Sequence, residues 1–518
     1  MRGVRPLRPG DPTSVGSYKV TGFLGEGGQG SVYLGVSPSG EQVAIKLLHA
    51  RFADDEQAVR RFRREAEAAR RVAEFCTARV LEVGAVNDQP FIVGEYVDGP
   101  SRNLGSSHFD LMLDLPSGYQ GPARSPGANT DSAIQTPDDR TIVFRLKRPY
   151  ATFDDVVQLP ETVPVPKAKG TRDTVLASGP YKIESVSTDK KKVVLTRNDQ
   201  WAAATDPNRD PLPDRYEIDY QVTDAEQRLR AGTAEFGPSI TSPGDAAAVL
   251  ADSALKKRAD VPVTASVRML AINPQVPPFD KADCRKAVVR ALNLKQLGLA
   301  YGPGAAQSRL PTSLVPPTVA GGRWRDPNLK AEGDPQAAKQ SLAACGKPAG
   351  FATSYVYRNL PSEQQIAQVV QRDLAAIGIE VKLRQVSTAE FHKSYGGNPG
   401  RLKQQGIGLI PKSWAPDWPD PDAFLSSIAD SRQITDTYSF NVSVRVKAID
   451  DLMDRARAEL DAGKRADLWT EVEQKLADEA VLVPLVWISP LLLRGQNAVN
   501  VHVSPVYDNY DLLTMGVR

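Results

Sequence analysis

Residues 272–293 read INPQVPPFDKADCRKAVVRALN, an extended, proline-bearing segment that runs into a helix starting near Asp283. The same alternation of short strands and helices continues outward in both directions. Downstream, Ile366, Val369, Val370, Leu374 and Ile377 form one helical stripe. A capping box at Ser362-x-x-Gln365 opens that helix, Gly378 ends it, and IEVKLRQV (379–386) follows as an alternating strand. Ile449, Leu452, Met453, Ala456 and Leu460 mark a second long helix, whose stripe is core packing. The apolar run Ala480–Ile488, interrupted by Pro484, reads as a buried strand. Upstream, SGPYKIESV (178–186) and KKKVVLTRN (190–198) flank a polar turn as a hairpin, and RTIVFRLKRP (140–149) puts Ile142, Phe144 and Leu146 on one strand face. This part of the chain is α/β.

The first hundred residues follow another plan. YKVTGFLGEGGQGSVYLGV (18–36) alternates around a glycine cluster, as two strands joined by a tight loop would, and EQVAIKLL (41–48) supplies a third strand. Glu56 to Ala73 is rich in Ala, Glu and Arg and carries Val59, Phe62 and Ala66 on one stripe, which predicts a helix. ARVLEVGAV (78–86) and PFIVGEYV (90–97) read as two more strands. Between Asp98 and Ser107 the composition turns abruptly to Gly, Ser and Asn, and the character of the chain changes there.

The totals limit the function classes. At 518 residues the chain exceeds what one core usually supports. Lys plus Arg total 64 against 62 acidic residues, so no global field calls for nucleic acid or an anionic membrane. Three cysteines exclude a disulfide scaffold and fit no zinc spacing, and four histidines are few for a metalloenzyme. No run of eighteen apolar residues occurs, which predicts no transmembrane segment. The first twenty residues contain no apolar h-region, so the chain as written is expected in the cytoplasm.

In Gly25-x-Gly27-x-x-Gly30-x-Val32 the absence of Cβ atoms lets backbone approach phosphates closely. Lys46 follows in Val43-Ala44-Ile45-Lys46, Glu65 lies in the helix beyond, and Glu95-Tyr96-Val97 ends the last strand. With these in order, residues 14–101 resemble the small lobe of bacterial, actinobacterial-type serine/threonine protein kinases, an antiparallel sheet plus one helix. The resemblance implies that Leu24, Gly25, Gly27, Gly30, Val32, Ala44, Lys46, Glu65, Glu95 and Val97 would contact or support a nucleotide, Lys46 meeting the phosphates and Glu65 holding it. The bland alternative is a glycine-rich hairpin with an exposed lysine and a solvated glutamate. No H-R-D, D-F-G or A-P-E occurs in the sequence, so no catalytic residue is assigned. His108-Phe109-Asp110-Leu111 is rejected as a catalytic loop, because it follows Glu95-Tyr96-Val97 too soon and Leu115 stands where Asn is needed. No cofactor is required; Mg-ATP binding at this lobe is expected to be weak at most.

From residue 102 the phrases SGPY (178–181), LTRNDQW (195–201), the opening segment 272–293, AAIGIEVKL (375–383), SWAPDWPDPDAFL (413–425) and VLVPLVWISPLLL (481–493) occur in an order that resembles the family 5 solute-binding proteins of ABC importers for oligopeptides and dipeptides. The resemblance implies a two-lobed, periplasmic-binding-protein-like (type II) fold, here incomplete at its start, over 102–518. Lobe two would run about 273–483, and 484–518 would return to lobe one. The crossings would lie near Ala271–Pro274 and Val483–Trp487, with closure over a ligand. It places Asp417 against a peptide's α-ammonium, with Trp414 and Trp418 shielding the pair from water. The bland alternative is a surface loop whose Trp packs inward and whose Asp caps a turn; Asp420 and Asp422 are read as belonging to the turn and to the cap of the next helix. Cys284 and Cys345 would meet as a disulfide in an exported relative; a cytoplasmic chain favours two free thiols.

The expected function is non-covalent capture of a peptide or similar small solute, with an importer permease as partner if the chain is exported. No metal site and no chemistry of its own are expected. Two rival readings stay open: a kinase-like, ATP-binding module that regulates uptake, and a gene fusion without function.

Overall fold

The computed structural model describes residues 6–26, 30–38, 40, 42–52, 55, 59, 80–86, 89–95, 112–116, 119, 128–138, 141–159, 178–187, 189, 191–206, 208–220, 222–240, 243–302, 310–319, 324–434, 439–441 and 444–518. The chain divides into two compact units, Met1–Ser101 and Arg102–Arg518.

The first unit is built on one antiparallel sheet of β1 (Ser14–Val15), β2 (Tyr18–Glu26), β3 (Gly30–Val36), β4 (Gln42–Leu48), β5 (Val80–Val86) and β6 (Gln89–Glu95). Their spatial order is β1-β2-β3-β4-β6-β5. Alternation along the strands sends Phe23, Tyr33, Val43, Ile45, Leu47, Phe91 and Val93 into one core. On the other face Leu48 and Ile92 meet Phe52, Val59 and Val83. The predicted helix 56–73 lies outside the described residues except at Val59, as do Cys76 and the junction 98–107.

The second unit opens with the hairpin of β7 (Ile134–Asp138) and β8 (Thr141–Phe144), followed by the antiparallel trio β9 (Tyr181–Val186), β10 (Lys192–Arg197) and β11 (Arg215–Asp219). The predicted hairpin 178–198 is thus present. Ile142, however, is 53% exposed, while Phe144 and Leu146 turn inward. β12 (Ala259–Asp260) leads to the central sheet, made of β13 (Val267–Ile272), β14 (Phe351–Arg358), β15 (Ile379–Val386), β16 (Ile407–Trp414) and β17 (Leu482–Trp487) in the order β15-β14-β16-β13-β17. β14 runs parallel to β15 and β16, whereas β13 is antiparallel to β16 and β17. β18 (Leu492–Leu493) then pairs back with β12.

Period-two alternation in β13 builds a core on each face of this sheet. Val267, Met269 and Ala271 pack against the helices Pro421–Ala429, Lys447–Ala458 and Ala462–Glu479. Leu270 and Ile272 pack against the helices Ala282–Ala291, Leu294–Tyr301, Pro335–Ala344 and Pro361–Ala375. β17 is buried at every position, which is why it reads as a continuous apolar run and not as an alternating one.

Three expectations need correction. Ser362 does not cap its helix: Leu360 is the N-cap residue, Pro361 begins the helix, and Glu363 turns inward to accept bonds from Arg358. Proline at the first helical position needs no N–H partner, which leaves the Ser362–Gln365 pattern without a role. Leu460 lies past the end of its helix and is 74% exposed. Cys284 and Cys345 are not free thiols but a disulfide, S–S 2.09 Å, across 61 residues. The helices carrying or ending at them pack together, and both cysteines face the same core.

Candidate functional site

In the first unit Val32, Ala44 and Lys46 share the less buried face of the sheet, because Tyr33, Val43, Ile45 and Leu47 alternate with them into the core. Val32 lies directly opposite Lys46 on β3 and β4, and Gly25 opposite Val32 on β2 and β3. Leu24 and Gly25 are partly buried. A Cβ on Gly30 would stand 2.2 Å from the Leu47 carbonyl oxygen, so the close approach of two strands requires glycine there. A Cβ on Gly25 would meet nothing within 4 Å among the described residues. Glu95 ends β6 opposite Val43, with its side chain outside the described residues. Gly27, Glu65 and Val97 lie outside them altogether.

In the second unit, β16 delivers the other predicted residues. Trp414 ends that strand and packs on Phe440 with ring centroids 4.7 Å apart. Its Nε1 is buried without a hydrogen-bond partner among the described residues. Three residues on, Asp417 is exposed. Trp418 is 5% exposed and packs inward with Met112, Leu113, Tyr150 and Val156, so its indole serves the core beneath the loop. Asp420 caps the helix Pro421–Ala429 by accepting from the Asp422 amide at 2.8 Å, the role read for it from sequence. Burial pushes the Asp420 carboxyl up to about 6.

Sequence reasoning missed the pocket beside this strand. Arg268 on β13, Arg358 at the end of β14, His392 on the helix Thr388–Ser394, and Lys412 on β16 converge around about 580 Å³ of empty space, with Phe391, Ser413 and Phe440 completing the wall. Glu363 is the acidic group nearest them, and Arg358 engages it through Nε at 2.8 Å while the Arg358 backbone amide donates at 2.9 Å. Arg268 only approaches the same carboxylate, at 3.7 Å; its Nε is buried without a partner among the described residues. Lys412 donates to the Gly396 carbonyl oxygen at 2.8 Å, and burial pushes its ammonium down to about 8. Burial and the neighbouring Arg358 lower the His392 pKa, which keeps the imidazole neutral at pH 7. A signal existed in the sequence: Arg268 and Lys412 are cations inside otherwise apolar strands, and they fall on adjacent strands, where Lys412 lies opposite Met269.

The pocket is lined by Arg268, Arg358, His392 and Lys412, and Asp417 follows Lys412 by five residues in the chain. Among the described residues, no group of three or more His, Cys, Asp or Glu could hold a metal ion. The family model for bacterial extracellular solute-binding proteins, family 5 Middle, matches residues 101–436. The chain belongs to that family.

Similar proteins agree with the division into two units. The family member is 32% identical to a solved structure titled clavulanic acid biosynthesis oligopeptide binding protein 2, with a TM-score of 0.72 over 79% of this chain and 75% of that one. It is 26% identical over 409 residues to the dipeptide-binding protein of Escherichia coli (strain K12), covering 74% of this chain and 73% of that protein. Its first unit is 43% identical over 98 residues to the probable serine/threonine-protein kinase PkwA of Thermomonospora curvata. That match spans 19% of this chain and only 13% of the kinase. The protein thus joins a kinase-like segment, whose antiparallel sheet is that of a small lobe, to a solute-binding domain of the periplasmic type II fold. No helix among the described residues is long and apolar enough to cross a membrane.

Proposed function

We propose that the second unit captures a short peptide without covalent chemistry, as the substrate-binding component of an ABC-type importer with a permease partner. The observation that carries this reading is the arrangement along β16: a cationic pocket around Lys412, then Trp414, then exposed Asp417. Five residues of chain reach at most about 17 Å. An ammonium at Asp417 and a carboxylate in the pocket are the two ends of a zwitterion of that size, on the order of two to five residues. Trp414 supplies the apolar wall between them, and Trp418 acts from beneath the loop. On the expected bounds, with the second lobe at about residues 273–483, two lobes would close on the ligand.

The test is calorimetric titration of the full chain with Ala-Ala, Ala-Ala-Ala and N-acetyl-Ala-Ala. Free peptides bind and the acetylated one binds at least tenfold more weakly; Asp417→Ala abolishes that difference. Equal affinity for free and acetylated peptides would remove Asp417 from the site.

A second reading concerns the first unit. Val32, Ala44 and Lys46 on one face, with open space above Gly25, support weak Mg-ATP contact with no turnover. A thermal shift with Mg-ATP that disappears in Lys46→Met supports this, and an unchanged shift in the variant counts against it.

A further inference from the structure

The pocket holds more positive charge than one carboxylate needs. Arg358 and Glu363 form a bonded pair and largely cancel. What remains is Arg268, whose Nε has no partner among the described residues, and Lys412, whose modest bond goes to a neutral carbonyl. Each is held in place by an aromatic ring: Arg268 lies 5.5 Å from the Tyr301 centroid and Lys412 lies 5.9 Å from that of Phe440. The two sit on neighbouring strands and face the same cavity. Arg268 and Lys412 are both partly buried and, with Arg358, have only the Glu363 carboxylate near them, an excess of positive charge that is unfavourable for the empty protein. The structure gains by accepting negative charge from a ligand, and more by accepting two charges than one.

We propose that Lys412 is the specificity-determining residue of this pocket and, with Arg268, selects solutes whose anionic end carries two negative charges, as in a peptide ending in aspartate or glutamate. The second carboxylate pairs with Lys412 near the Gly396 carbonyl, and the chain-terminal one lies nearer Arg268 and Arg358. Phe391 and Phe440 exclude water around the pair, which strengthens it. The proposal rests on the peptide reading above and adds the class of peptide.

Lys412 also gives the selection a pH signature. Among the described residues, the charged or titratable groups facing it are Arg268 from β13, Tyr355 and Arg358 from β14, Tyr301 from the helix Leu294–Tyr301, Glu363 from the helix Pro361–Ala375 and His392 from the helix Thr388–Ser394. In the empty protein its ammonium titrates at about 8 because of burial. A bound carboxylate raises that value, so binding is strongest below pH 8 and weakens as pH rises through the higher value of the complex.

The experiment titrates the full chain with Ala-Glu, Ala-Gln and the dicarboxylate glutarate, in the native protein and in Lys412→Met and Lys412→Arg. Ala-Glu is expected to bind at least about tenfold tighter than Ala-Gln at pH 7. Lys412→Met should erase that preference, with Ala-Glu losing at least about tenfold more affinity than Ala-Gln, and Lys412→Arg should retain part of it. The preference should also shrink between pH 8 and pH 10. Equal binding of Ala-Glu and Ala-Gln overturns the proposal and leaves the peptide reading standing. Glutarate binding that depends on Lys412, without binding of either dipeptide, sinks the peptide reading and keeps the dianion pocket. A Lys412→Met protein that loses both dipeptides equally also overturns the proposal, since the residue would then serve the pocket's shape and not its selectivity.

Discussion

Two clusters of charge in the second unit both gather cations around carboxylates and end in opposite states. Around Arg457, which is 2% exposed, the guanidinium donates through Nε to Asp422 at 2.9 Å and through its terminal nitrogens to Asp430 and Asp454 at 3.1 Å and to Ser426 at 2.6 Å. Arg432 binds Asp430 and Asp454, and Arg148 pairs with Asp454 at 2.6 Å. Three arginines face three aspartates, and every charge has an opposite neighbour. The Tyr150 hydroxyl closes the cluster by donating to Asp422. Around Lys412 three cations share one glutamate. The first cluster is compensated within the protein; the second carries an excess of positive charge.

The protonation equilibria follow the same division. Burial acts against the Arg457 cation, but Asp422 and Asp430 outweigh it and hold the group firmly charged. Burial acts on Lys412 with no carboxylate to answer it, and its pKa falls. Arg457 is therefore silent across the physiological range, while Lys412 is not.

The comparison can be broken most directly at Arg457. Arg457→Met leaves Asp422 and Asp430 buried without their shared partner, and chemical denaturation should show a loss of about 3–5 kcal/mol in the second unit. A loss below 1 kcal/mol would mean that the cluster carries no structural weight. Tyr150→Phe removes one hydrogen bond to a charged acceptor and should cost about 1.5–3 kcal/mol by the same measurement, with no change in peptide affinity. The smallest effect has the opposite sign. Lys412→Met removes an uncompensated cation and should stabilise the empty protein by about 0.5–2 kcal/mol at pH 7.

The pH dependence sharpens that last contrast. With a folded value of about 8 against the ordinary lysine value of 10.5, the unfolded chain holds more protons on Lys412 between those limits. Stability should rise with pH across that window in the native protein, and the rise should flatten in Lys412→Met. An identical slope in both proteins would assign it to other groups.

Much of the fold is legible in the sequence because its signals are local. The strands that flank the glycine cluster and carry Lys46, the alternation in 379–386 and the buried run at 482–487 are each local, and each is the strand it predicts. The errors were local patterns overruled by neighbours. Ser362–Gln365 has the letters of a capping box, yet Pro361 starts the helix and Glu363 is claimed by Arg358 from the preceding strand. Trp418 stands in the expected loop, but residues 112–156 supply a core for it to enter.

By itself the sequence determined the solute-binding family of the second unit, the resemblance of the first to a kinase small lobe, and the order of their strands, and it nominated Asp417 as a candidate end of a binding site. Tertiary structure alone decided that Cys284 pairs with Cys345, that Arg457 is neutralised, and that Lys412 is not. Local backbone pattern depends on residues three or four apart, whereas charge balance depends on which side chains the fold brings together. Tyr150 meets Asp422 across 272 residues, and Arg268 shares a pocket with Lys412 only because β13 and β16 are neighbours in the sheet.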